Sequence, residues 1–278
     1  MTANSQIQVL DPVRPNEGLQ AEYRRQLMKL IDEMHKSIEY WLKAAYKRET
    51  PEMAQDASPA VELQMMMRRL ARRWNKRFAE AAKELAAYFA QAAADRSDVQ
   101  LKAILRKAGI SVSFRMTKTM NDVMQATIGE QVGLIRSIAS QHLSAIEGMV
   151  MRSVAEGRDL FTLSKNLREA YGVTKRRAAL IARDQNNKAS AVLTRVRQTD
   201  LGITEAIWQH SHAGKEPRRT HVAAGSKKVR YKIAEGWYDS EAKRVKGGGF
   251  EGAFVWPGTL INCRCTSRPI IPGLGLPK

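Results

Sequence analysis

The feature that most constrains this chain is a change of period near residue 200. Before it, apolar residues recur at spacings of three and four over long stretches. After Gly202 they alternate, and glycine, proline and aromatic residues become frequent. The first spacing lines one stripe of a helix, and alternation lines one face of a strand. Long helices therefore come first, and short strands and loops second.

From Glu17 to Arg48, one stripe holds Leu19, Tyr23, Leu27, Leu30, Met34, Ile38 and Leu42. A second helix, over about 60–94, carries Leu63, Met66, Leu70, Trp74, Phe78, Ala81, Leu85 and Phe89, with Met65-Met66-Met67 read as core filler. A third, over about 117–155, carries Met120, Met124, Ile128, Val132, Ile135, Ala139, Leu143, Ile146 and Val150. Its length would span roughly 57 Å. His142 lies beside that stripe and reads as structural. Thr50-Pro51 and Ser58-Pro59 bracket a polar connection, and Asp95 to Asp98 reads as a break before a short helix to Lys107. Gly109 to Phe114 alternates as a short strand or a kinked link would. Leu160 to Ala170 reads as a short helix closed by Gly172, with Thr174 capping a further helix that Gly202 stops.

The fold class that follows is mainly α: an elongated long-helix bundle or stalk, then a small α+β C-terminal module. The expected division is an extended arm over 1–16, a helical region over 17–172 and the module over 173–278, which a helix over 174–200 opens. No run is long and apolar enough to span a membrane. Two cysteines provide no disulfide framework, and Met1 to Gln6 lacks a secretory pattern, so synthesis in the cytoplasm is expected.

The chain carries a net charge of +18. Residues 172–278 hold 20 of the 46 basic side chains but only 8 of the 28 acidic ones. Such an excess favours a polyanionic partner. Lys227, Lys228, Arg230, Lys243, Arg244 and Lys246 flank Tyr231, Trp237 and Tyr238, a pattern that suits sequence-independent nucleic-acid contact. The alternative is that these aromatic rings fill a small β core. On the second helix, Arg68, Arg69, Arg72 and Lys76 cluster opposite the apolar stripe, as a phosphate grip or a solvated face.

Ala206, Trp208, His210 and His212 fall on one face of an expected strand, and Val229 to Ile233 reads as a second strand. Cys263, Cys265 and His221 are three candidate zinc ligands, with His210 or His212 as the fourth. One intervening residue is not the two-residue spacing of a zinc knuckle. The alternative is two small buried cysteines with His221 packed or hydrogen-bonded beside them. The expectation is no stoichiometric cofactor, zinc being the ion this set would take. No catalytic set closes: Gly247-Gly248-Gly249 lacks the Lys-Ser/Thr of a phosphate loop, and no second acidic or histidine ligand follows Asn262.

Ala182-Arg183-Asp184-Gln185 on a helix, a strand ending at Trp208, Arg218-x-x-His221-x-x-x-Gly225 and a closing Asn262-Cys263-Arg264-Cys265 before Pro269 together resemble a known family. It is the phage head morphogenesis family, typified by the phage Mu F-like minor head proteins, and the likeness covers about 130–270. Many relatives carry Cys-x-x-Cys where this chain has Arg218-x-x-His221, and a histidine where Leu260 stands. The resemblance implies a non-enzymatic minor structural protein of a tailed-phage head, present in multiple copies in the virion. Its implied partners are the portal protein, the major capsid protein and packaged double-stranded DNA, with no membrane. The alternatives are a sequence-independent nucleic-acid-binding protein and, less favoured, a metal-dependent nuclease.

Overall fold

A computed structural model of the chain describes residues 7–47, 59–157, 159–246 and 248–271. The first six residues of the expected arm, the proline-bracketed connection from Thr50 to Ser58, Gly247 and the tail after Ile271 lie outside the described residues. The remainder of the arm is not simply extended. It forms β1 (Gln8–Val9), and Leu10 and Val13 are buried behind it.

Four long helices follow: α1 (Glu17–Lys47), α2 (Pro59–Lys107), α3 (Lys118–Ala155) and α4 (Leu160–Asp200). The architecture is mainly α with a small α+β part at the C-terminus, as the change of period predicts. Asn16 caps α1 by accepting the Leu19 amide at 2.8 Å. Two expected breaks are absent. Asp95 to Asp98 continues α2, because no glycine or proline interrupts it and Gln91 donates to Asp95 one turn on, at 2.8 Å. Gly172 does not end a helix either. Thr174 faces inward and its hydroxyl donates to the Ala170 carbonyl at 3.0 Å, a mid-helix pattern rather than an N-cap, so α4 is continuous. Gly202, at φ +72°, does terminate α4. Gly109 to Phe114 forms no strand. Its alternation is real, however, and sets Ile110, Val112 and Phe114 against the core.

The chain forms two compact units that do not follow a linear cut at residue 172. One comprises 20–88 and 128–182; the other comprises 1–19, 89–127 and 183–278. The all-helical unit buries Leu27, Ile31, Met34, Phe78, Ile135 and Ile146. Of the methionine run, Met67 is buried, Met66 half-buried and Met65 exposed. The buried face of α3 is not wholly apolar: Gln131 and His142 occupy it. His142 Nδ1 meets Thr174 Oγ1 at 2.8 Å, and His35 stacks on Tyr171 with ring centroids 4.1 Å apart. Burial holds the His142 imidazole down at about 4 and lowers His35 as well.

The other unit adds β2 (Glu205–Gln209), α5 (Arg219–Ser226), β3 (Arg230–Lys232), β4 (Trp237–Arg244), β5 (Phe250–Val255) and β6 (Thr266–Ile271). The antiparallel strands run β1-β6-β2-β3 in one sheet, while β4 and β5 form a separate hairpin. Ala206 and Trp208 point into the core from β2, as the alternation predicts. There they meet Tyr231, Ile233, Leu101, Leu105 and both cysteines. At the C-terminal part of α4, Arg197 is 5% exposed. It grips Asp98 of α2 through two bonds of 2.9 and 2.8 Å and donates to the Arg115 carbonyl at 2.6 Å.

Candidate functional site

The loop joining β5 to β6 carries Asn262, Cys263, Arg264 and Cys265, and α4 anchors it. Asn262 sits at φ +62°, in the left-handed region that asparagine tolerates better than most residues. Its amide donates to Asp184 Oδ1 at 2.7 Å, and Arg183 donates to its side-chain oxygen at 3.0 Å. Asn187 reaches the Cys263 carbonyl at 3.3 Å. The sequence groups Arg183-Asp184 and Asn262-Cys263, 78 residues apart for the first of these bonds, are thus halves of one hydrogen-bonded clamp. Gly258, at φ +84°, turns the loop where a Cβ would come within 2.9 Å of Ala191 Cβ. Its amide donates to Cys263 Sγ at 3.3 Å.

Cys263 and Cys265 lie on one side of the loop and are 3% and 5% exposed. Between them Arg264 turns away and donates to the Ala213 carbonyl at 2.5 Å. Opposite the sulfurs stands His221 on α5, 2% exposed. Its Nδ1 lies 3.5 Å from Cys263 Sγ and 3.7 Å from Cys265 Sγ. Its Nε2 lies 3.1 Å from Asp239 Oδ2 on β4. A carboxylate only accepts, so Nε2 bears the hydrogen and Nδ1 is presented to the sulfurs. Trp208 closes the group from β2, its ring centroid 4.8 Å from that of His221.

The two thiols are coupled. The hydrogen bond from Cys265 holds Cys263 well below the usual thiol range, with His221 contributing. The same contact, with burial, pushes Cys265 up. Together they favour one thiolate and one thiol. Thiolate, imidazole and carboxylate in line have the order of a nucleophilic triad. Such a triad needs an accessible nucleophile, and here two sulfurs compete for one nitrogen while both are buried. As arranged, the group suits metal ligation better than attack on a substrate.

Sulfurs and imidazole line the inner end of a cleft of about 740 Å³, whose mouth includes Arg183, Arg218 and Arg264. Sequence reasoning brings together His221, Cys263 and Cys265, and the structure unites them. His210 and His212 do not join the ligand cluster. Their Nδ1 atoms lie 3.4 Å from each other, His210 buried and His212 exposed beyond the end of β2. Asp239 is the residue sequence reasoning missed. The available signal was an acid at an inward position of the Trp237-Tyr238-Asp239-Ser240 alternation, where a buried carboxylate needs a partner.

The six candidate nucleic-acid-binding residues are all exposed but fall in two places: Lys227, Lys228 and Arg230 around the start of β3, and Lys243, Arg244 and Lys246 at the tip of the β4–β5 hairpin. Arg230 pairs with Glu205, and Lys243 lies 3.9 Å from Glu251. Of the aromatic residues between them, Tyr231 is buried, Trp237 half-buried and Tyr238 exposed. Tyr238 and Phe254 pair edge-on across the hairpin at 5.4 Å, both open to solvent.

Residues 144–268 match the model of the family described as phage Mu protein F like protein. That span holds α4, the clamp and the Cys-His group, so the part of the chain that builds the site is similar to the phage Mu F-like proteins, the resemblance its motifs carry. An uncharacterized protein of Haemophilus influenzae is 23% identical over 265 residues, covering 94% of this chain. The chain spans about half of that relative's length, 55%. No solved structure matches.

Proposed function

We propose that this chain is a minor structural protein of a tailed-phage head, acting in head assembly at the portal vertex. The observation that carries the reading is the family match over 144–268, together with the clamp that makes its separate motifs one structure. A buried site with no accessible nucleophile favours an architectural role over catalysis. The β4–β5 hairpin offers a surface for other head components, with Tyr238, Phe250 and Phe254 each at least half exposed. Aromatic side chains of this kind are enriched where proteins meet. No helix among the described residues is long and apolar enough to cross a membrane.

Reconstruction of virions that contain this chain tests the reading. Density for the module at the portal vertex supports it. Absence of the chain from purified virions would replace it with a scaffold-like or host-side role.

Contact with packaged DNA is a second reading, favoured by one surface. Arg68, Arg69, Arg72, Arg73, Lys76 and Arg77 are all exposed within about three turns of α2. Such a face neutralises phosphates without reading sequence.

A further inference from the structure

One ligand atom from each of His221, Cys263 and Cys265 lies within 4.8 Å of the other two, all three residues being buried. We propose that these residues hold a single zinc ion, His221 through Nδ1 and both cysteines as thiolates, with the fourth position facing the cleft. This inference does not depend on a role in the phage head.

The two nitrogen–sulfur distances fit the ion. With Zn–S about 2.3 Å and Zn–N about 2.0 Å, tetrahedral geometry sets a coordinating nitrogen and sulfur about 3.5 Å apart. The two observed separations are 3.5 and 3.7 Å. A thiol donating to Nδ1 would explain one such approach. One nitrogen lone pair accepts one such bond, and here two sulfurs converge on it. A cation at the centre satisfies all three atoms together.

The surroundings agree. Asp239, fully buried, takes the hydrogen on Nε2 and so fixes the tautomer that leaves Nδ1 free to coordinate. A carboxylate behind a ligating imidazole is the usual outer support of such a site. The Gly258 amide donates to Cys263 Sγ, which favours a charged sulfur. Two thiolates and an imidazole select zinc over magnesium or calcium, which take oxygen ligands. His210 lines the same cleft but its ring nitrogens are outside the ligand group, so the fourth position belongs to a water or a cleft-bound ligand.

The test uses the full-length, tag-free chain, purified under reducing conditions, loaded with zinc chloride and passed over a chelating resin. It should retain one zinc per chain by elemental analysis. X-ray absorption should show two sulfur neighbours at about 2.3 Å and lighter neighbours at about 2.0 Å. Retention of no zinc, or a spectrum without sulfur neighbours, overturns the proposal. So does a Cys263→Ser variant that holds zinc as tightly as the parent chain; should that variant fail to fold, the spectrum of the parent still decides. Asp239→Asn should keep both sulfurs in the spectrum and weaken zinc about 10- to 100-fold in competition with a chromophoric chelator. Unchanged affinity would remove Asp239 from the site.

Discussion

His221 Nε2 and Asp239 Oδ2 lie 3.1 Å apart in the interior of the C-terminal module, one contributed by a short helix and the other by a hairpin strand. Asp239 also accepts the Glu241 amide at 3.0 Å. Asp239→Leu leaves a buried N–H without its acceptor, which costs about 1–3 kcal/mol. Asp239→Asn keeps a side-chain oxygen and should cost less. Urea denaturation of both variants checks this, and equal losses would show that the hydrogen bond is not what Asp239 supplies.

Arg197 is the second buried charge on which stability should depend. Its guanidinium meets both oxygens of Asp98 and the Arg115 carbonyl, so it ties α4 to α2 and to the link after it. Replacing it with Met fills similar volume but strands a largely buried carboxylate. Breaking such a pair from one side costs about 3 kcal/mol or more. Removing both charges together, Arg197→Met with Asp98→Leu, should recover much of that loss in thermal denaturation. Additive losses would argue that the pair is not coupled.

The helical unit should lose stability in mild acid. Burial lowers His142 from its ordinary value of 6.5 to about 4, so the folded state resists a proton that the unfolded state accepts. For a base lowered on folding, the contribution is complete above the unfolded value. It is lost as pH falls from about 6.5 towards 4, amounting to about 3 kcal/mol. His35 is lowered by burial and adds in the same direction. Denaturation midpoints measured between pH 7 and 4.5 should fall, and His142→Leu should flatten part of that slope. An unchanged slope would place the acid sensitivity elsewhere.

Much of this architecture was legible in the sequence because helical period reports burial directly. Leu19, Tyr23, Leu27, Met34 and Ile38 are buried in the structure, as their spacing requires. Breaks were harder to read. Gly172 and the Asp95–Asp98 group carry residues common at helix ends, but packing and local hydrogen bonds carry the helices through them. Polar burial was harder still: Gln131 and His142 are buried beside the apolar stripe of α3, Thr174 is buried mid-helix where a cap was expected, and His142 Nδ1 and Thr174 Oγ1 meet across two helices. At the site, histidine and cysteine declare themselves by type. Asp239 does not, because an acid in a hairpin strand looks solvent-facing until the tertiary fold closes over it.

Gly225 lies where α5 packs closely on the end of β2. A Cβ there would fall 2.4 Å from His210 Cβ and 2.9 Å from its backbone nitrogen. Backbone atoms cannot rotate aside as a side chain can. Gly225→Ala should therefore destabilise the chain by about 2 kcal/mol through overpacking, although alanine is about 1 kcal/mol the better helix former. A melting temperature equal to or above that of the parent would show that α5 and the end of β2 can separate at no cost.

If the chain meets DNA, the α2 face should carry more of the contact than the module's basic patch. Arg68, Arg69, Arg72 and Lys76 are exposed along one helix, whereas in the module Arg230 and Lys243 are drawn towards Glu205 and Glu251. Binding through phosphates releases counterions, so affinity should fall steeply with salt and differ little between sequences. Removing one cation from a phosphate should flatten the log–log salt slope by about 0.9, so changing these four side chains to Gln should flatten it by about 3 to 4. Lys227→Gln with Lys228→Gln should change it less. Fluorescence anisotropy with two unrelated duplexes across a salt series measures both quantities. A flat response in the unmodified chain would remove DNA from its partners, and a larger effect of the module variants would move the contact to the β3 end of the sheet.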